Sequence, residues 1–391
     1  MINAVILSAA RTAIATSRKG GLADTTAEEL AIPVVTALVE RSGLDASLVD
    51  DVILAESLYG GGDTARHVAL ACGLTGAGGV AVNRHCAGSL AAVSMASAAV
   101  HSGMDRAVIA GGTQSFSTQP VMRRRVPGTL DEVEDNWMPM ADPPRGGPNQ
   151  RDMSLVTGWN TALKAGLSRE EQDAWALRSH QRAIAAIDDG RFLDEIVPVQ
   201  ARGKDGVFRE FRVDEHPRRD ASAERMAGLK SLHPEIQGFS ITAGNSSGIN
   251  DAAAGLLIAN GDFARAEGLE PLARVRGWAQ VGNDPAETGL APLACLPKLF
   301  ARTGVRQEDI ALWEINEAFA SVPLAVCRQL GIDEDIVNVS GSGCSLGHPV
   351  AATGARMLTT LVHELRRRGG GLGVATMCAA AGQAGAVLIE V

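Results

Sequence analysis

No apolar run in the 391-residue chain approaches the roughly 18 residues of a membrane span. The longest stretch, Ser89 to Val100, is short and full of Ala and Ser; it reads as a buried helix, and no membrane contact is expected. No Cys-x-x-Cys occurs either. The six cysteines (Cys72, Cys86, Cys295, Cys327, Cys344, Cys378) are scattered without the compact spacing of a disulfide framework or zinc site, so reduced thiols and no structural metal are expected. Basic charge is in deficit: 36 Lys and Arg against 45 Asp and Glu give a net charge of −9. That argues against a nucleic-acid partner, whose phosphates need a basic face, and leaves room for a local basic pocket holding a small anion. The start, Ile2-Asn3-Ala4-Val5-Ile6-Leu7, lacks the basic residues of a secretory signal and reads as a first strand, so a cytoplasmic location is expected.

What is present is 46% hydrophobic and 21% charged residue, the composition of a folded chain. At about 150 residues per domain it makes two or three domains. Aromatics are scarce, with tyrosine only at Tyr59, while short β-branched runs alternate with Ala-rich stretches, which is an α/β pattern. Strands are expected over 4–8, 52–55, 80–83, 107–111, 311–314, 337–339, 373–377 and 386–390. The clearest helix follows Ser168, where Ser168-Arg169-Glu170-Glu171 forms a capping box and the apolar pattern runs to Ile187 before Gly190.

The chain resembles itself at an offset of about 255 to 260 residues. Gly43-Leu44-Asp45 leads through Asp51 into Val52-Ile53-Leu54; Gly304-Val305-Arg306 leads through Asp309 into Ile310-Ala311-Leu312. Val82-Asn83 then enters the Cys86 turn, a helix and strand 107–111, as Val337-Asn338 enters a Gly-rich turn, a helix and strand 373–377. Between the copies, Thr113 to about Ser247 holds Arg123-Arg124-Arg125, a Pro/Gly-rich stretch and the capped helix. It reads as an inserted loop domain.

Four residues stand where chemistry needs them. Cys86 follows a strand and opens an Ala-rich helix, where the helix dipole favours a thiolate nucleophile; alone it reads equally as a buried small hydrophobe. His348 lies in Gly341-Ser342-Gly343-Cys344-Ser345-Leu346-Gly347-His348-Pro349, where glycines admit a ligand close to the backbone and an imidazole can donate to an oxyanion. Asn316, in Glu314-Ile315-Asn316-Glu317-Ala318-Phe319, leaves a strand either to hold a water or substrate oxygen or to cap a helix. Cys378, in Met377-Cys378-Ala379-Ala380-Ala381-Gly382, ends a strand where a second thiol can move protons or simply pack.

Together these blocks resemble the thiolase family along essentially the whole chain. Cys86 matches the nucleophile block, Asn316 the N-E-A-F motif, His348 the G-H-P motif and Cys378 the C-terminal cysteine; Thr242-Ala243-Gly244-Asn245-Ser246-Ser247-Gly248 and Asp214-Glu215 with Arg218 match as well. The resemblance implies a thiolase fold, with duplicated βαβαβαββ halves in an αβαβα layering. Residues 1–119 would form the N-terminal half, completed by about 248–270; 120–247 would form a coenzyme A-binding loop domain and 271–391 the C-terminal half. It implies a homodimer or homotetramer acting on coenzyme A and acyl-CoA, with no permanently bound cofactor.

The activity implied is thiolytic cleavage of 3-ketoacyl-CoA through an acyl-cysteine. Cys86 would carry the acyl group, His348 and an Asn316-held water would stabilise the enolate oxygen, and Cys378 would shuttle protons. A second oxyanion hole would use the backbone N–H groups of Cys86 and Ala380. The family usually has glycine at the latter position, so a positive φ at Ala380 would cost on the order of 1 kcal/mol. Arg218, Ser247 and Met153 would contact coenzyme A. The 123–125 arginines would supply a second phosphate contact or a solvated charge run, and Trp137, Met138, Met140 and Trp159 would shape the acyl pocket or pack the loop domain. Asp152-Met153-Ser154 stands where His-Met-Gly is common in short-chain biosynthetic members, which favours the degradative direction over acetoacetyl-CoA synthesis. A β-ketoacyl synthase would lack the terminal cysteine block, and a Cys-His-Asn hydrolase would leave Cys378 unexplained. A non-catalytic thiolase-like acyl-CoA-binding protein has no evident need of all four polar groups.

Overall fold

The computed structural model describes residues 2–57, 62–135, 151–203 and 205–391. Tyr59, Trp137, Met138 and Met140 lie outside them. In chain order the elements that build the framework are β1 (Ala4–Thr12), α1 (Ala27–Ser42), β2 (Asp51–Ala55), α2 (Thr64–Ala71), β3 (Val80–Val82), α3 (Gly88–Ser102) and β4 (Ala107–Gln114). After the inserted segment, whose main helix is α4 (Arg169–Asp188), come β5 (Asn250–Asn260), β6 (Ala273–Gly282), α5 (Pro292–Thr303), β7 (Ile310–Ile315), α6 (Ser321–Leu330), α7 (Thr353–Arg367), β8 (Leu372–Ala379) and β9 (Gln383–Glu390).

The strand order is β7-β8-β9-β6-β1-β5-β4-β2-β3, and the duplication is written in it. In the first half β2 runs parallel to β3 and β4, and β4, β5 and β1 follow antiparallel. In the second, β7 runs parallel to β8, and β8, β9 and β6 follow antiparallel. The halves meet where β1 pairs with β6 over Val5↔Arg274 and Ile6↔Ala273. Gly43 and Gly304, both left-handed, end α1 and α5, and each is followed by a short 3-10 turn into a parallel strand. The helix-to-strand repeat read in the sequence is therefore structural.

Side chains alternate across the strands, and the two faces feed different cores. On β5, Leu256 and Ile258 face a central layer shared with Leu90 and Val93 of α3 and Leu358 and Leu361 of α7. Leu257 faces the other way, onto Leu30, Val34 and Leu38 of α1 and Val68 of α2. In the second half Val374 and Leu388 face Leu296 and Leu299 of α5 and Leu324 of α6. The result is five layers, αβαβα, with α3 and α7 in the middle. Small residues let those two helices approach: a Cβ on Gly354 would come within 2.7 Å of Leu90. Ser89 Oγ accepts the Ala355 N–H at 3.0 Å, satisfying one of the free donors at the start of α7.

Two expectations about strands need correction. The 337–339 strand is a single bridge, Trp313↔Val337, because Asn338 turns left-handed at φ 51. Its side-chain amide takes over, accepting from Ile315 N–H and donating to Ile315 C=O, both at 2.8 Å. Asn250–Asn260 and Ala273–Gly282 form long strands that were not among those expected.

Candidate active site

Cys86 sits in the turn between β3 and α3. His85 adopts φ 45, Ala87 and Gly88 close the turn onto Arg84 and His85 carbonyls, and α3 begins at Gly88. The residue as a whole is half-buried. Burial pushes its thiol up to about 11, against the pull of the Ala380 and Cys86 backbone N–H groups. The expected thiolate at a helix N-terminus is thus overridden by desolvation, and the resting group is a thiol.

Ala380 lies in the three-residue loop joining β8 to β9. Its own backbone is not left-handed; Ala381 is, at φ 65, followed by Gly382 at φ 70. The strain falls at Ala381, one residue past the position where the family usually has glycine, and the Ala380 N–H reaches the Cys86 sulfur. Cys378, at the end of β8, is buried, and burial together with the neighbouring Cys86 raises its pKa.

His348 is buried at the end of the glycine-rich turn. Glycine is required twice here: a Cβ on Gly343 would meet Glu317 backbone at 2.6 Å, and Gly347 has φ 105 with the Asn250 side chain at 2.5 Å from its would-be Cβ. The His348 N–H donates to Asn250 Oδ1 at 3.0 Å, and Nδ1 lies 2.7 Å from Thr353 Oγ1. Burial, then the charge of Arg356, lowers the imidazole to about 3, so it rests neutral. Asn316 stands beside the ring, fully buried, with Nδ2 3.5 Å from Nε2 and Oδ1 without a partner among the described residues. It does not line the cavity and caps no helix.

Glu317, next to Asn316 in the N-E-A-F motif, organises this loop system. Its carboxylate accepts from Trp175 Nε1 at 2.9 Å, Ser179 Oγ at 2.6 Å, Asn338 Nδ2 at 2.9 Å and Cys344 N–H at 3.0 Å. It ties α4 of the inserted segment to the turns bearing Asn316 and His348.

Cys86, Cys378, His348 and Ala380 face one cavity of about 410 Å³, with Ser247 and Met153 in its wall and Phe116, Ile249, Phe319 and Val350 making it mainly apolar. Arg218 is exposed and lines a neighbouring cavity of about 290 Å³ with His180, His216, Ala243 and Gly244. The Arg218 N–H donates to His180 Nδ1, and burial lowers that imidazole to about 4. The segment Ala243–Gly248 borders both cavities.

Other candidates fall elsewhere. Arg123 and Arg124 pair with Asp135 and Glu134 across a small hairpin, so its own acids take up their charge. Trp159 packs on Phe239 at 5.1 Å in the loop segment rather than on the cavity. Asp152 accepts from Ser154 N–H at 3.0 Å and pairs with His233 at 2.9 Å, so the departure from His-Met-Gly caps a helix start. Thr353 and Asn250 carry no motif signal beyond a hydroxyl five residues after His348, whereas Glu317 stands in the N-E-A-F motif, which marks the position without its role.

Two family models cover the chain, the thiolase N-terminal domain over residues 4–262 and the thiolase C-terminal domain over 269–391. The acetyl-CoA acetyltransferase of Pseudomonas aeruginosa is 39% identical over 391 residues, with 98% of each chain covered. Among solved structures, the Bacillus anthracis acetyl-CoA acetyltransferase superposes with a TM-score of 0.92 at 38% identity, covering 100% of this chain and 99% of that one. Human mitochondrial 3-ketoacyl-CoA thiolase in complex with CoA gives 0.89 at 32% identity, with 99% and 97% covered. With two thiols and a neutral imidazole on one cavity, the chain belongs to the thiolase family and is an acyltransferase with thiolase activity.

Proposed function

We propose that the chain cleaves 3-ketoacyl-CoA to acetyl-CoA and a shortened acyl-CoA, with Cys86 as acyl carrier. The observation that carries this is the convergence of Cys86, Cys378, His348 and the Ala380 N–H on one apolar cavity. Cys86 sulfur attacks the 3-keto carbonyl as His348 Nε2 takes its proton. The tetrahedral oxyanion collapses, the C2–C3 bond breaks, and the acyl group stays on Cys86 while the enolate of acetyl-CoA leaves. Cys378 gives that enolate carbon a proton. The Cys378 thiolate then deprotonates incoming coenzyme A, whose sulfur attacks the acyl-cysteine; the N–H groups of Cys86 and Ala380 hold the second oxyanion. Expulsion of Cys86 sulfur, reprotonated from His348, closes the cycle. Buried Asn316 Oδ1 is an acceptor suited to a water beside the imidazole.

Coenzyme A would run from Arg218 past Ala243–Gly248 and Met153 to Cys86. The degradative direction rests on Asp152-Met153-Ser154, and its use would be the two-carbon shortening of fatty acyl chains in the cytoplasm. Assembly as a homodimer or homotetramer is supported by β3, a sheet edge with no further strand beside it among the described residues, and by the 123–135 hairpin, whose Leu130 is 89% exposed. A two-stranded hairpin is marginal alone in water, so a second copy is its natural cover.

The deciding experiment is intact mass spectrometry of the protein mixed with 3-ketoacyl-CoAs, from acetoacetyl to long, branched and ring-bearing groups. An adduct of the shortened acyl group on Cys86, absent in Cys86→Ala, is expected. Cys378→Ala should acylate from an acyl-CoA donor and turn over poorly. Equal adduct on wild type and Cys86→Ala refutes the assignment.

A further inference from the structure

A neutral imidazole carries one N–H, and the nitrogen that holds it decides whether the other can take a proton. The hydrogen-bond partners around His348 favour one of the two. Thr353, the first residue of α7, has a single hydroxyl hydrogen, and its Oγ1 donates to Pro349 C=O at 2.9 Å. With that hydrogen on the carbonyl, which can only accept, Oγ1 accepts from His348 Nδ1, 2.7 Å away. The proton is assigned from this network to Nδ1, which leaves Nε2 bare. Asn316 agrees, since its Nδ2 faces Nε2 as a donor. The backbone is fixed at the same point, with His348 N–H on Asn250 Oδ1 and Gly347 seated on that side chain. Both ends of the residue are pinned, so the ring has little freedom to turn the bare nitrogen away.

We propose that Thr353 is a positioning residue that holds His348 as its Nδ1–H tautomer, so that Nε2 accepts the Cys86 proton during attack. The inference rests on the thiolase chemistry proposed above. The S–H bond of Cys86 breaks, its electron pair forms the S–C bond to the substrate carbonyl, and the proton moves to Nε2. The imidazolium then has N–H on both sides. Nδ1–H stays on Thr353, and the new Nε2–H donates to the enolate oxygen that forms as the C2–C3 bond breaks. His348 thus acts as a donor only after it has served as a base, which differs from its expected role as a standing donor.

The test compares wild type, Thr353→Val and Thr353→Ser in single-turnover acylation by acetoacetyl-CoA, read by intact mass, with coenzyme A affinity measured alongside. Valine keeps the shape and removes the acceptor. It is expected to slow acylation about 10- to 100-fold, with serine within about threefold of wild type and coenzyme A affinity unchanged in both. Valine acylating as fast as wild type, or serine as slow as valine, overturns the proposal. Imidazole-¹⁵N spectra of the wild type, assigned with His348→Asn, test it independently of how the valine variant folds. A protonated Nδ1 and bare Nε2 are expected, and the reverse overturns it. No adduct on the wild type would instead remove the thiolase reading of Cys86, whereas a wild-type adduct with a fast valine variant removes only the role of Thr353.

Discussion

The reactivity of Cys86 toward a neutral alkylating agent should climb steeply with pH through neutrality. With its thiol at about 11, the thiolate fraction at pH 7 is about 10⁻⁴. Proton transfer to His348, at about 3, gives an ion pair at about 10⁻⁸ before attraction is counted. Attraction between close opposite charges, about 4 kcal/mol, recovers about a thousandfold and still leaves that pair scarcer than solvent-generated thiolate. Alkylation by iodoacetamide develops no oxyanion, so it gains nothing from a proton kept at Nε2 and proceeds through free thiolate. The rate should rise about tenfold per pH unit from 7 to 10. Against an unperturbed thiol the thiolate fraction is about 300-fold lower at pH 7, and greater intrinsic nucleophilicity returns about a decade, leaving Cys86 about 30-fold slower. The assay is peptide-level quantification of Cys86 alkylation, which separates it from half-exposed Cys72. A flat profile between pH 5 and 9, or reaction at pH 7 faster than a free thiol, would refute the argument that desolvation outweighs the helix terminus and the two N–H groups.

Three further outcomes follow from geometry. Glu317→Leu leaves four buried donors without their carboxylate and should cost about 3 to 5 kcal/mol, seen as a large drop in melting temperature at fixed protein concentration; melting within about one degree of wild type would mean the donors find other partners. At the left-handed Ala381, glycine relieves about 1 kcal/mol of strain and valine adds to it, so melting should rank Gly above Ala above Val; any other order counts against a strained loop. Arg218→Ala should raise the dissociation constant of coenzyme A about tenfold, while acylation by the truncated substrate 3-oxobutyryl-N-acetylcysteamine stays as in wild type. Equal losses with both would place Arg218 in the chemistry rather than in nucleotide binding.

The parts of the fold legible in the sequence were those with local signals. The capped helix after Ser168 and the paired Gly43 and Gly304 stops are set by short-range chemistry. Asn250–Asn260 was missed because it is buried on both faces and rich in Ala, so it shows neither alternation nor β-branched enrichment. Val337–Asn338 was misread because an asparagine side chain can imitate a strand's peptide group. In the site, the four motif residues were visible because chemistry dictates their type. The roles of Thr353, Asn250 and Glu317 were hidden because they depend on partners 5, 98 and up to 142 residues away. The thiol state of Cys86 was hidden for another reason: a helix terminus is local, and desolvation belongs to the whole cavity.

The contact between Ser89 and Ala355 has a mechanical meaning. Three residues before Ser89 is the sulfur, and seven before Ala355 is the imidazole, so this 3.0 Å bond acts as a dowel between two independently braced plates. Such a joint sets the tolerance of the reaction centre close to the fastener and away from the rim. Bulk at the outer walls of the cavity is then taken up away from the joint that sets the sulfur against the imidazole.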